Sequence, residues 1–217
     1  MTFDRRRFIG AALAAGVAAC TTRSVAPPPG PAAVPPPPAP LPAVAAAQTV
    51  LPPLLAEALA ALDTHGIAAR DKLALVDFSL ASSEPRFHLV DVAAGRIEQS
   101  WLVAHGSGSD PEHTGLLHWF SNQPGSNASS NGAFLTSEHY TGQHGRSQRL
   151  IGLEPSNDMA LARAIVIHGA AYVDPALIAA QGRIGRSQGC FAFEHGAVAS
   201  VMERLGEGRL IYAGKLA

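Results

Sequence analysis

Two hydrophobic periods run through this chain, one helical and brief, the other alternating and dominant. After Pro52 and Pro53, Leu55, Leu59 and Leu62 fall on one face and Gly66 follows as a stop, which predicts an amphipathic helix at the start of the folded region. Beyond it, short segments rich in branched and aromatic residues predict strands over 73–78, 86–92, 96–104, 132–136, 149–153, 164–168, 189–193 and 209–213, with Ala94-Gly95 turning a hairpin. Helical patterning returns at 157–163, with Asn157 as its cap, at 174–180, and at 194–205 with Gly206 after it. The balance predicts a mainly β domain with a few short peripheral helices. Between residues 105 and 148 the chain is full of Gly, Ser, Asn and His, too polar for a core and long for a plain connection, and reads as a functional loop.

The N-terminal stretch follows neither period. Arg5-Arg6-Arg7-Phe8-Ile9 leads into an apolar run from Gly10 to Ala19 that is too short to span a bilayer as a mature helix, so it reads as an export signal. The paired arginines resemble a twin-arginine signal; a general secretory signal with a basic start looks similar. Val17-Ala18-Ala19-Cys20 resembles a lipobox in which Cys20 is acylated after cleavage, with ordinary cleavage after Ala19 as the alternative. Residues 21–49 are mainly Pro and Ala, a tether that in polyproline II form extends about 3.1 Å per residue. The expected organisation is therefore a signal with lipobox over 1–20, a tether over 21–49 and one catalytic domain over 50–217. It stands in the periplasm and touches the membrane only through the lipid anchor.

Charge and cysteine content narrow the partners. Without the first 19 residues, which carry Arg5, Arg6, Arg7 and Asp4, 13 basic groups face 16 acidic ones, a mildly acidic balance that argues against nucleic acid. Lys72 and Lys215 are the only lysines beside 14 arginines, which suits planar recognition of carboxylates. Cys20 and Cys190 are the only cysteines. An even count in an exported protein ordinarily means a disulfide, but the lipobox claims Cys20 and leaves Cys190 a lone thiol, either buried or used.

The chemistry concentrates in two segments. Ala164-Ile165-Val166-Ile167-His168-Gly169 is a buried strand ending in His, and Gly185-Arg186-Ser187-Gln188-Gly189-Cys190-Phe191-Ala192 brings a thiol to the edge of another apolar run. An imidazole in reach of a thiol can take its proton and later protonate a leaving amine. Small residues before Cys190 leave backbone N–H groups for an oxyanion. A buried structural cysteine is the alternative at this point. Gly185-Arg186-Ser187-Gln188-Gly189 also matches the G-x-S-x-G elbow of serine hydrolases, but no apolar strand precedes it and only 30 residues follow Ser187, where that elbow needs an acid and then a His. A metal hydrolase could draw on His105, Asp110, His113, His118, His139 and His144, although no HExxH pattern occurs and the His pairs are spaced five apart. A penicillin-binding-type serine enzyme is excluded because neither lysine lies three residues after a Ser.

His168-Gly169, a spacer of 17 residues, then Ser187-Gln188-Gly189-Cys190 resembles the signature of the L,D-transpeptidase (YkuD-type) family. Upstream, His105-Gly106, Phe120-Ser121-Asn122, Ser129-Ser130-Asn131-Gly132, Tyr140-Thr141-Gly142, Arg149-Leu150, Gly152-Leu153-Glu154 and Tyr172 resemble the murein L,D-transpeptidase subgroup, so the likeness runs from about Leu73 to the C-terminus. The resemblance implies a β-sandwich or barrel-like catalytic fold. It implies Cys190 as nucleophile and His168 as base, with the backbone of Ser187, Gln188 and Gly189 orienting the imidazole and Gly189 and Cys190 donating to the oxyanion. The substrate is a peptidoglycan stem peptide, its acyl group passing to the side-chain amine of meso-diaminopimelate, with no metal or organic cofactor and a monomer expected. Two departures stand out: the commoner motif has His where Gln188 stands, and Arg or Asn where Ala192 stands. The stem carboxylates are therefore expected at Arg186 or Arg149, with Tyr140, Asn122, Ser130, Gly169 and Tyr172 as further substrate contacts. The same site could release its acyl group to water as an L,D-carboxypeptidase, could link L-Ala to diaminopimelate, or could have decayed into a wall-binding lipoprotein.

Overall fold

Period-two alternation builds the centre of the molecule. In the computed structural model, which describes residues 52–216, strand β1 (Lys72–Asp77) sends Ala74 and Val76 to one face and Leu73 and Leu75 to the other, all fully buried. Strand β2 (Phe87–Asp91) pairs with it antiparallel and continues through Gly95, at φ +60°, into β3 (Arg96–Trp101). Strands β4 (Gly132–Gly142), β5 (Gly145–Gly152), β6 (Val166–Gly169), β7 (Phe191–Phe193) and β8 (Leu210–Gly214) complete one eight-stranded sheet in the order β3-β2-β1-β8-β4-β5-β6-β7. Only β1 with β8 and β6 with β7 run parallel. Past β3 the chain reaches the opposite edge, where Ala104 bridges Ala192 of β7 and Gly106 bridges Ser187. The sheet thus curls back toward itself, and the mainly β expectation holds.

Each face carries one principal helix. Helix α1 (Pro52–Thr64) buries Leu54, Ala58, Ala61 and Leu62 against Leu73, Leu75, Val90, Ala133 and Leu210. The buried stripe is rotated from the expected one: Leu55 and Leu59 are only partly buried, because the alanines let the helix backbone lie close to the sheet. Helix α3 (His195–Leu205) packs Val198, Val201, Met202 and Leu205 onto the inner cluster, among Phe87, Phe134, Phe191 and Phe193. Helix α2 (Pro175–Gln181) is capped by the Asp174 carboxylate, which accepts the Ala176 N–H, and ends at Gly182 in the left-handed region. No helix among the described residues is long and apolar enough to cross a membrane. The export signal, the tether and Cys20 lie outside the described residues.

Two expectations need correction. Residues 157–163 form no helix but a run of turns, with bonds such as Ala160 N–H to Asn157 O and Ile165 N–H to Ala160 O. Asn157 does not cap a following helix. Its buried side chain accepts from the Glu154 N–H and donates to the Asn131 and Ala133 carbonyls, tying the turns to β4. The polar region also contains less loop than its composition implies, since β4 and β5 extend to a two-residue turn at Gln143-His144. That hairpin is polar on both faces, so it lacks the apolar alternation by which a strand is read.

Candidate active site

The parallel pair β6–β7 sets the geometry. Ile167 lies opposite Phe191, His168 opposite Ala192 and Gly169 opposite Phe193. Ile167, Phe191 and Phe193 belong to the inner core, so alternation turns His168 and Ala192 to the other face. Cys190 stands immediately before β7, two residues from the Ala192 that lies opposite His168.

His168 is almost fully buried and its Nδ1 lies 3.0 Å from the Gly169 carbonyl. A carbonyl can only accept, so Nδ1 carries the proton and Nε2 keeps the lone pair that can accept one. Burial holds this imidazole below its usual range, partly opposed by the Gly169 carbonyl and reinforced by His144 and His195. His144, at the β4–β5 turn, stacks on it at 4.3 Å between ring centroids, and a Cβ at Gly169 would lie 2.7 Å from His195 Nδ1. Gly169 is thus required for close approach as well as for its carbonyl. The backbone of residues 187–189 does not hold the imidazole, as the resemblance had implied; the carbonyl of the next residue on β6 does, because it lies within reach of the ring's own strand.

The nucleophile loop is clamped by Ser187. Its Oγ donates to the Cys190 carbonyl at 2.7 Å and accepts the Gly189 N–H at 3.1 Å, closing a tight turn from 187 to 190. Gly189 sits at φ +108°, and a Cβ there would meet the Ala128 carbonyl at 2.6 Å. Two consequences follow for the expected roles. The Gly189 N–H is spent on Ser187, leaving the Cys190 N–H as the candidate oxyanion donor. Ser187 has its hydroxyl committed on both sides and is not presented as a nucleophile, while Gln188 faces solvent.

Cys190 is a free, half-buried thiol whose sulfur donates to the Ala164 carbonyl at 3.5 Å. Ala164 holds φ +53°, a left-handed conformation uncommon for a residue with a Cβ, which aims that carbonyl at the sulfur. Burial raises the thiol above its ordinary range, opposed by the Val166 N–H and the Arg163 charge. Cys190, Ser187, Gln188, Arg186, Tyr172, Arg163 and His144 line one cavity of about 540 Å³. A second, about 520 Å³, is lined by His144, Gly169, Tyr172 and His195. Both volumes suit a peptide segment.

Behind the loop lies a buried polar chain. Arg86, fully buried, donates to the Val103 and Leu80 carbonyls and to His105 Nδ1 at 2.7 Å, and His105 Nε2 lies 3.2 Å from Asp110. These partners make His105 a neutral Nε2–H tautomer, held down to about 4 by burial and by the Arg86 charge. Arg186 donates to the Asp110 backbone carbonyl, and Ser187 N–H donates to the His105 carbonyl. The buried polar side chains thereby fix the backbone on which the nucleophile loop hangs.

The substrate-contact expectations divide. Tyr172 and Arg186 line the cavity beside Cys190, with the Tyr172 hydroxyl pushed up to about 12 by burial and the neighbouring thiolate charge. Arg149 and Tyr140 line neither cavity: the guanidinium lies 4.4 Å over the Tyr140 ring and pairs with Glu138 at 2.8 Å on the hairpin surface. Asn122 cross-links loops through the Pro155 carbonyl, Asp158 and the Met159 N–H. Ser130 is buried and anchors Arg163. Of the histidines of the polar region, His113 lies on the Ile184 carbonyl, His139 on Glu207, and His118 on Thr114 and on Asp110, whose other oxygen meets His105. Among the described residues no group of three or more His, Cys, Asp or Glu is arranged to hold a metal. Sequence reasoning missed Arg163 and the stacking role of His144. Arg163 binds carbonyls and hydroxyls more than thirty positions away, and nothing in its local pattern announces them.

Residues 46–213 match the family model of the L,D-transpeptidase catalytic domain. No curated protein matches the chain. Among solved structures, it is similar to an L,D-transpeptidase from Mycobacterium smegmatis, at 13% identity over 66% of this chain and 58% of that one, TM-score 0.39. An L,D-transpeptidase from Mycobacterium tuberculosis H37Rv matches at 12% identity over 66% and 57%, TM-score 0.41. One from Xylanimonas cellulosilytica DSM 15894 matches at 15% identity over 72% and 68%, TM-score 0.39. The chain spans less than two thirds of the length of the two mycobacterial proteins.

Proposed function

Because the chain belongs to the L,D-transpeptidase catalytic domain family, we propose that it is a peptidoglycan L,D-transpeptidase with Cys190 as nucleophile and His168 as general base. The observation that carries this reading is the β6–β7 pairing, which sets His168 opposite Ala192, two residues after Cys190, with the imidazole held neutral and its Nδ1 on the Gly169 carbonyl, so that Nε2 can accept a proton. His168 takes the thiol proton as the sulfur adds to the carbonyl of a donor stem peptide, the oxyanion facing the Cys190 N–H. Collapse breaks the peptide bond, His168 returns the proton to the leaving amine, and a thioester remains. The side-chain amine of meso-diaminopimelate on a second stem then displaces sulfur, forming the new amide and restoring the thiol. Tyr172 and Arg186 are the substrate contacts in this reading, Arg186 facing a stem carboxylate. The enzyme acts from the periplasmic side of a membrane, held by an acylated Cys20 through the Pro/Ala tether, and works without metal or organic cofactor.

The test is acyl-enzyme formation. Incubating the full chain with a carbapenem or a tetrapeptide stem should add the acyl mass to the peptide containing Cys190, and Cys190→Ala should abolish it. Acylation that survives in Cys190→Ala, or no acylation in the wild-type chain, defeats the reading. Muropeptide masses from cells with and without Cys190→Ala separate diaminopimelate–diaminopimelate links from L-Ala–diaminopimelate links, and from the shortened stems of a carboxypeptidase. Cys20→Ala should release the protein from the membrane fraction.

A further inference from the structure

Among the described residues, Arg163 is a cation without a carboxylate partner. Arg70, Arg146, Arg149, Arg204 and Arg209 each face an acidic side chain. Arg163, half-buried just before β6, instead donates to the Ser121 carbonyl at 2.8 Å, Ser130 Oγ at 2.8 Å, the Ala128 carbonyl at 2.6 Å and Ser126 Oγ at 3.4 Å. Neutral acceptors fix a guanidinium in place without cancelling its charge. That charge lies against the nucleophile loop: a Cβ on Gly189 would stand 3.0 Å from Arg163 Nη2, and Arg163 and Cys190 line the same cavity. A thiolate needs a positive neighbour, and in many cysteine enzymes the imidazolium of the base supplies it. Here the base is surrounded by His144 and His195, so a lasting positive charge on His168 is disfavoured.

We propose that Arg163 is the counter-charge of the Cys190 thiolate, a positioning residue held by the 121–130 segment that stabilises the negative charge on sulfur as acylation begins. This rests on Cys190 being the nucleophile. The S–H bond breaks as the sulfur adds to the donor carbonyl, its proton passing to His168 Nε2; Arg163 exchanges no proton. The charges of the two groups act on each other, the Arg163 cation lowering the thiol and the thiolate raising the guanidinium. The four anchors explain why an arginine stands here: a lysine could supply the charge but could not span carbonyls and hydroxyls on both sides of its head.

The experiment follows alkylation of Cys190 by iodoacetamide against pH in the full chain, reading the Cys190 peptide by mass so that Cys20 does not interfere. Arg163→Gln should move the midpoint to higher pH and slow alkylation at neutral pH by about tenfold. Arg163→Lys should keep most of the wild-type midpoint, because it keeps a cation. An unchanged midpoint in Arg163→Gln overturns the proposal. So does an Arg163→Lys profile displaced as far as that of Arg163→Gln, since scaffolding alone would then account for both. Should Arg163→Gln fail to fold, Arg163→Met takes its place in the same Cys190-peptide readout, keeping the apolar stem and removing the charge: a midpoint moved to higher pH supports the proposal and an unchanged one defeats it. Alkylation requires no peptidoglycan, so a chain that alkylates as expected yet forms no acyl-enzyme would sink the transpeptidase reading and leave the role of Arg163 standing.

Discussion

The β6–β7 edge and the β4–β5 hairpin each bring a histidine to the stack of His168 and His144, on opposite structural terms. His168 is buried on a strand whose register, next carbonyl and facing residue are all fixed, while His144 is exposed at a two-residue turn. Around the edge, polar groups are buried and partnered: Arg86, neutral His105 and Asp110 brace the loop of Ser187 and Cys190. On the hairpin, Glu138 with Arg149 and Arg146 with Glu203 are exposed pairs worth little individually. The contrast separates groups that need one geometry for bond making from groups that need only cover the site and adapt to what enters it.

The largest effect should come from the edge. His168→Gln keeps a polar side chain of similar reach but removes the base, and should slow acylation by about 10²–10⁴-fold with little change in melting temperature. Stopped-flow acylation by a carbapenem measures it, and a loss below fivefold would mean that the thiol ionises without this imidazole. Next is Gly189→Ala, which places a Cβ against the Ala128 carbonyl in a backbone conformation that side chains rarely adopt. Displacing Cys190 by a fraction of an ångström should cost on the order of 10²-fold in acylation, and stability should fall as well.

How much of this was legible in the sequence divides along the same line. The edge announces itself, because a buried apolar run ending in His168 and a Gly189-Cys190 pair before Phe191 are local patterns. The hairpin does not: β4 beyond Thr136 and β5 before Arg149 are polar on both faces, held by cross-strand backbone pairing that no periodicity encodes. Tyr140, in the long polar region, and Arg149, at the start of a predicted strand, attracted attention through the family resemblance and their residue types, and pairing turned them toward each other instead of toward the cavity. The turn run 155–164 misled for a related reason, since its apolar spacing is helical while Asn157 ties its backbone to β4. Arg163 stayed hidden because its partners are carbonyls brought near only by the fold.

His144 lies between the two regions and its removal should have an intermediate effect. The ring lowers the proton affinity of His168 and helps to shield it, so His144→Ala should raise the His168 pKa. Acylation requires neutral His168 and falls as pH drops through that pKa, so the acid limb of the rate profile should move to higher pH. Above that limb the rate should change only a fewfold, because the base itself remains. An acid limb that stays in place would show that the stack carries no electrostatic coupling.

The smallest effect should come from the hairpin surface, and it tests the comparison from its other end. Arg149 and Tyr140 are attractive substrate ligands by residue type, one a carboxylate fork and the other an aromatic platform. In the fold each satisfies the other: the guanidinium lies over the Tyr140 ring and its Nε donates to Glu138, so recruiting Arg149 to a stem carboxylate would break both contacts. Arg149→Ala should therefore leave the rate of acylation by a tetrapeptide stem within about twofold and change stability by under about 1 kcal/mol, as expected for an exposed pair. Arg186→Ala, in the cavity, should weaken the same donor by about tenfold, the loss expected for the charge-assisted bond to a stem carboxylate proposed above. The reverse ranking, measured as KM for the stem peptide in the two variants, would show that the hairpin closes onto the substrate and that its exposed ion pairs are exchanged for substrate contacts.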